Sequence, residues 1–427
     1  MKQVPMRMAL GLITAMVLGG AHGVTAADNQ LITSVALIHE YNDNLRLDHT
    51  DELSDNITTV APKLELVHNS ERYRVRADGR LDFYRYEEYD QFDDTDQWYN
   101  GFLDATPTER WRFGAEAHFS DDNRPDRDIQ ETGLVLSNIR RKRINAGTSA
   151  EYTFSEMLAG GLVLEFNRED FDDPETSDRR DYHVVLGLTR SLDAWLARTT
   201  GRLNLGYSHY EFEREFDRTG TLGFLEVTTL VEDRSEVDYY SLTAGTDTAL
   251  TEKVNLSVDL GGRYAQSQRE LQVSRSYVPP LITEAPLITD EDYDSFGFVG
   301  SLTFTYRGER SRSDVFLSHD LTPVSGSNAT ANRTIARVSG SLRLLERLHG
   351  NVYFQWYQNL SEQDDPTQQD IDTQTWNAGG GLRWTLNDYL DLAANYVYTI
   401  VDNREAGTTA YRNLATLQLE AHHDWLE

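Results

Sequence analysis

The sequence predicts an all-β protein: a single closed, antiparallel, up-and-down transmembrane β-barrel of about eighteen strands, with about sixteen as the alternative count. Three observations predict it. Apolar and polar residues alternate with period two along most of the chain from residue 31 onward, as strands do when their two faces meet different surroundings. The connections between these stretches are alternately short and long, the rhythm of single-chain outer-membrane barrels. An export leader precedes them.

The leader covers residues 1–27. Lys2 and Arg7 form a positive n-region, Met8 to Leu18 a short apolar core and Thr25-Ala26-Ala27 a small-residue cleavage site, so the mature chain is expected to begin near Asp28. So short an apolar run does not cross about 30 Å of hydrocarbon, which argues against a retained helix. Strands are then predicted at 31–41, 57–68, 72–85, 97–105, 110–120, 134–154, 158–168, 180–190, 198–212, 236–248, 253–267, 293–306, 312–321, 333–344, 349–359, 373–385, 389–400 and 411–425. The third shows the pattern most clearly. Tyr73, Val75, Ala77, Gly79, Leu81 and Phe83 alternate with Arg72, Arg74, Arg76, Asp78, Arg80 and Asp82; a helix would scatter those arginines around its axis, whereas a strand puts them on one face. The fifth sets Trp111, Phe113, Ala115, Ala117 and Phe119 against Arg110, Arg112, Glu116 and His118.

Short turns fall at 69–71, 106–109, 155–157, 308–311 and 386–388, and long polar links at 42–56, 86–96, 121–132, 169–179, 213–235, 268–292, 322–332, 360–372 and 401–410. An even strand count would leave both termini on the periplasmic, short-turn side. No linker divides 28–427, so the barrel is expected to be one domain. Two long links carry apolar residues, among them Leu222, Phe224 and Val227 in one and a Pro-Leu-Ile-Thr repeat at Pro280 and Pro286 in the other. Either could fold into the bore or stand as an extracellular hairpin. The inner faces of soluble β-sandwiches would alternate similarly, but the uninterrupted up-and-down order, the leader and the aromatics near strand ends favour a barrel. Tyr41, Trp98, Trp111, Tyr152, Tyr182, Tyr207, Tyr264, Tyr306, Trp384, Tyr389, Tyr398 and Trp425 would form two interfacial girdles.

Composition narrows the function classes. The chain has no cysteine, which excludes disulfides and thiolate chemistry. A net charge of -30 and a pI near 4.7 argue against nucleic acid as a partner, since binding a polyanion needs clustered basic surface. The mean hydropathy of -0.56 suits a barrel, where only alternate strand residues face lipid. Acids gather at 87–90, 93–96, 170–173 and 290–292, in predicted loops. They read as solvated surface, or as sites where divalent cations bridge to lipopolysaccharide phosphates.

No phosphate loop, paired-histidine zinc helix or Gly-x-Ser-x-Gly elbow occurs, so no cofactor, no metal and no enzyme activity are expected. Ser208 and His209 are adjacent, which on a strand sends them to opposite faces; His118, His183 and His319 fall on different strands. Gly379, Gly380 and Gly381, between Trp376 and Trp384, read as strand glycines under neighbouring aromatics. The candidate pore-lining residues are basic. Arg72, Arg74, Arg76 and Arg80 share a column with Asp78 and Asp82, Arg110 and Arg112 extend it on the fifth strand, and Arg140, Arg141, Lys142 and Arg143 lie on the sixth. They would either guide an anionic solute through a wet bore or brace the wall as a salt-bridge lattice.

The start of the mature chain, Val35 to Leu45 with Tyr41-Asn42-Asp43-Asn44-Leu45 at its end, resembles the first strand and turn of the putative β-barrel porin 2 family, whose members often open with an aromatic-x-Asp-Asn-aliphatic element. The resemblance implies an outer-membrane barrel of the Gram-negative envelope and, because many members are associated with exopolysaccharide loci, a conduit for exopolysaccharide export. A general passive-diffusion porin and a plugged structural or adhesion barrel are the alternatives. The implied partners are outer-membrane lipid and lipopolysaccharide, the barrel-assembly machinery and polysaccharide-export components. The chain ends Asp424-Trp425-Leu426-Glu427 rather than on the usual terminal aromatic, so recognition by assembly machinery would rest on Trp425 with Leu417, Leu419 and Ala421.

Overall fold

A computed structural model gives the structure and describes residues 28–124, 129, 132–134, 139–222, 225–278, 282–361 and 370–426. The leader predicted at 1–27 lies outside them. The wall is eighteen strands: β1 (Asp28–Asn42), β2 (Asp55–Asn69), β3 (Tyr73–Tyr86), β4 (Asp94–Ala105), β5 (Trp111–Asp122), β6 (Arg141–Ser155), β7 (Leu158–Phe171), β8 (Asp178–Ser191), β9 (Thr199–Leu222), β10 (Leu225–Ala249), β11 (Val254–Val278), β12 (Leu287–Arg307), β13 (Ser311–Pro323), β14 (Thr330–Leu345), β15 (Leu348–Leu360), β16 (Asp372–Asn387), β17 (Leu390–Asn403) and β18 (Thr408–Asp424). A two-residue strand at Ile282–Thr283 and a 3-10 turn at Asp90–Phe92 decorate the links. Each wall strand pairs antiparallel with its chain neighbours, and β1 closes the sheet against β18 from Ile32↔Asp424 to Asn42↔Leu414. Closure leaves the membrane-crossing part of the sheet no edge, the condition for a β-structure in hydrocarbon. Both ends of the described chain lie at the short-turn end.

The seam uses the opening motif. Asp43 accepts hydrogen bonds from the backbone and side-chain nitrogens of Asn413, each at 2.6 Å. Asn44 donates to the carbonyl of Tyr411 at 3.0 Å and to that of Asp48 at 2.8 Å.

Facing residues of antiparallel neighbours share one side of the sheet, so the register assigns the faces. Val75 pairs with Leu103 and Phe83 with Thr95 on the outside, while Arg76 pairs with Phe102 and Arg80 with Trp98 on the inside. The aromatic girdles form as expected, with Trp111 4.7 Å from Tyr152 toward the short turns and Tyr264 4.8 Å from Phe296 toward the long links. Trp98 is the exception. It faces the lumen, with the Arg80 guanidinium 5.7 Å from its ring centre.

Two predicted long links are sheet instead. β9 and β10 pair as far as Leu222 and Leu225, and β10, β11 and β12 continue alongside. β8 stops at Asp178↔Glu213 and β13 at Gly300↔His319, so a four-stranded blade rises beyond the barrel by roughly 30 Å at about 3.4 Å per residue. Asp233, fully buried, receives Arg214 at 2.7 Å and Arg269 at 2.8 Å, tying three strands. Tyr210, Phe212, Val237, Tyr239 and Ala265 pack below it with Leu321. Outside the membrane both faces can be polar, so the apolar alternation fades although the strands run on. The acidic run at 290–292 accordingly sits in β12, and part of that at 93–96 in β4. The sixth strand begins at Arg141 rather than 134, so Arg140 precedes it.

Candidate pore and its constriction

A barrel of about eighteen strands is wide enough for an aqueous bore. Here the lumenal faces are polar and their charges are mostly paired. On β3, Arg76 lies 2.9 Å from Glu65 of β2 and 3.8 Å from Asp78, and Arg80 grips Asp82 through two nitrogens at 2.5 and 2.8 Å. On β5, Arg112 grips Asp104 of β4 in the same way, at 2.9 and 3.2 Å. Arg74 faces Asp104 across the β3–β4 register. Arg72 and Arg110 stand in the short turns rather than on the strands. Arg72 donates to the Pro107 carbonyl at 3.3 Å, and Arg110 to the hydroxyl of outward-facing Tyr152 at 3.4 Å. The six predicted residues therefore divide into four on the lumenal wall and two at its lower rim.

The sixth-strand basic run divides too. Lys142 points outward, 3.6 Å from Asp172, and Arg140 reaches Asp94 and Asp121 at the rim, at 2.6 and 2.7 Å. Arg141 and Arg143 are lumenal and buried. With Arg179 of β8 they surround Glu169 of β7 at 3.6, 2.7 and 3.7 Å, a cation cluster held by one carboxylate.

That carboxylate anchors the first of two connections that cross the bore. The β13–β14 link, residues 324–329, turns inward. Ser325 Oγ donates to Glu169 at 2.7 Å, Ser177 N donates to the Gly326 carbonyl at 3.2 Å, and the Ser177 hydroxyl lies 3.3 Å from Asn328 Oδ1. Described residues of the β5–β6 link reach in from the other side. Ile129 is fully buried against Leu47, Val401 and Ala410, Asn359 Nδ2 donates to the Thr132 carbonyl at 3.0 Å, and Thr375 Oγ1 donates to that of Gly133. Gly133 has φ +69°, and a Cβ there would lie 2.5 Å from that of Tyr357; only glycine fits so close to the β15 wall. Anchors on β7–β8 for one link and on β15–β16 for the other place both across the mouth.

The candidate histidines remain dispersed. His183 lies 2.8 Å from Ser208 Oγ inside the wall, while His209 faces outward, 3.0 Å from Asp238; His118 contacts Asn100 and His319 contacts Thr334. Among the described residues no group of acidic or histidine side chains is arranged to hold a metal ion. Of the two links singled out for apolar residues, the described parts run along the blade, with Leu225, Val227 and Leu287 on its strands; Phe224 and Pro280 lie outside the described residues. The crossing segments went unmarked. Their apolar residues gave little signal: Ile129 stands alone in a polar run, Leu134 to Ile139 read as the start of the sixth strand, and Val324 is isolated.

This closed wall and its opening seam can be set beside known proteins. Residues 19–185 match the family model described as putative beta-barrel porin 2. That is the family whose first strand and turn the Tyr41–Leu45 element resembles, and the match runs from the N-terminal segment into β8. The chain has the closed-barrel fold of outer-membrane proteins. No curated protein matches it. Among solved structures, the ferric-catecholate import receptor Fiu from E. coli K12 is 7% identical with a TM-score of 0.51, over 93% of this chain and 82% of that one. The ferric enterobactin receptor PfeA of Pseudomonas aeruginosa, in a mutant form, is 9% identical with a TM-score of 0.40, over 92% and 80%. The siderophore receptor PirA of Acinetobacter baumannii is 8% identical with a TM-score of 0.42, over 94% and 81%. At such identities the likeness to Fiu and the porin 2 match speak to fold, and the chemistry must come from the bore.

Proposed function

We propose that this barrel is a gated conduit for exopolysaccharide export across the outer membrane, and that it works without catalysis or cofactor. The observation that carries this reading is where the obstruction lies. The wall strands leave a polar lumen with cavities of about 240 to 450 Å³ along it, and the described residues that cross it belong to two connections at one end. Links held by a few hydrogen bonds can move without disturbing the ladder, whereas a wall narrowed by its own side chains would be fixed. The same observation favours a gated conduit over a general diffusion porin, whose bore stands open. In this reading the short turns and both termini face the periplasm, where export components would hand over the polymer. Lipopolysaccharide surrounds the girdles, and the assembly machinery reads β18. The paired arginines brace the wall rather than guide anions.

The test is genetic and chemical together. Removing the chain from its host should abolish extracellular polysaccharide while polymer accumulates in the periplasm, with restoration by the wild-type chain. Unchanged extracellular polymer would overturn the reading.

A further inference from the structure

Beneath the crossing links, the lumenal wall of β15–β17 differs in kind from that of β3–β5. Its register rows read Asn351, Gly381, Asn395; then Tyr353, Gly379, Val397; then Gln355, Asn377, Thr399. None of these nine positions carries a charge. Two cavities of about 330 and 240 Å³ adjoin along this wall and share Asn351 and Asn395. Of the cations that flank these rows, Arg383 lies 3.0 Å from Asp391 and 3.5 Å from Glu420, and Arg337 donates to the Tyr357 hydroxyl at 3.2 Å; Arg412 sits opposite Thr399 and Arg343 opposite His349, one row beyond Asn351 toward the short turns.

Two glycines shape the surface. A Cβ at Gly379 would lie 2.7 Å from the Tyr353 ring, and one at Gly381 would lie 2.0 Å from Asn395 Oδ1. The ring and the amide thus lie along the wall in space that any other residue would fill. The side-chain amides of Asn351 and Asn395 make no hydrogen bond among the described residues. Each presents an acceptor oxygen and a two-hydrogen donor, the complement of neighbouring hydroxyls on a sugar. A tyrosine ring supplies the apolar partner for the C–H face of a pyranose. A polyanion would meet no unpaired cation in these rows, and its carboxylates or sulfates would lose water for no charge-assisted bond.

We propose that this face is a binding groove for an uncharged glycan segment, with Tyr353 as the stacking platform and Asn351 and Asn395 as the hydroxyl readers. The inference rests on the conduit reading and narrows its cargo to neutral polysaccharide. The test is calorimetric titration of the full-length protein in detergent with maltoheptaose and with an oligogalacturonate of equal length. The neutral oligomer should bind at least about tenfold more tightly than the acidic one. Tyr353→Ala combined with Asn395→Ala should weaken it by about tenfold or more, while Tyr353→Phe retains binding. Heat-modifiable migration of each variant verifies that it is folded. No binding of maltoheptaose, equal binding of the acidic oligomer, or undiminished binding by the folded double variant would overturn the proposal. The titration reads binding without flux. A barrel that binds but exports nothing would therefore sink the conduit reading, and one that exports without this preference would sink the groove alone.

Discussion

Asp43 and Asn44 show how a short motif serves a closed sheet. Their side chains fasten the end of β1 to Asn413 and Tyr411 of β18, where the chain's two ends must meet. Asp43→Ala with Asn44→Ala should lower stability by about 1–3 kcal/mol, because buried backbone groups lose their partners. Urea titration of the heat-modifiable form would read this as an earlier midpoint, and an unmoved midpoint would deny the motif its seam role. The face assignment has an equally local test. Val352 faces lipid near mid-strand and Ser341 faces the bore, paired with Asn351. Val352→Arg should cost about 2–4 kcal/mol and impair assembly, whereas Ser341→Arg places its charge in water and should be tolerated. Equal tolerance in an assembly assay would mean the register is shifted by one. At this scale much was legible, because alternation alone puts Arg74, Arg76, Arg80 and Arg112 on the lumenal side. Pairing was not legible: whether Arg76 meets Glu65 depends on the β2–β3 register, which the turn sets. Trp98 misled because an aromatic near a strand end usually marks the interface, yet its parity with Asn100 and Phe102 turns it inward.

Among elements, the two crossing links matter most. Gly133 takes a left-handed φ against Tyr357, so Gly133→Ala combines backbone strain of about 1–2 kcal/mol with a clash and should free the β5–β6 link. Glu169→Gln would leave Arg141, Arg143 and Arg179 around a neutral amide; removing one partner of a buried cluster typically costs about 3–5 kcal/mol. Both variants should increase protease cleavage within these links while the wall stays resistant, and unchanged cleavage would show that the links are held elsewhere. The wall strands were legible to within a few residues where one face meets lipid. The blade was not, since its two wet faces erase the apolar alternation while Val227, Thr228, Thr229 and Val231 still favour extended backbone. The crossing links escaped notice because inward-folding segments here use serine, asparagine and glycine, the composition of any exposed loop.

For the whole molecule, charge and architecture separate. The net charge of -30 belongs largely to rim and blade, where salt screens it beyond about 8 Å. Inside, arginines and carboxylates pair on one wall and amides line the other, so the bore should show little preference between cations and anions. A reversal potential under a salt gradient checks this; strong selectivity of either sign would mean unpaired lumenal charge. Closure of a wide polar lumen by two strand connections, and not by its wall, is what the gate depends on. Its most direct test is conductance in a planar bilayer, comparing the wild type with a variant in which residues 325–328 are replaced by two glycines and Gly133→Ala, Asn359→Ala and Thr375→Ala release the opposite link. The wild type should be closed or flicker briefly, and the variant should hold a steady, large conductance. A variant as silent as the wild type, while still folded and heat-modifiable, would show that these links do not close the bore.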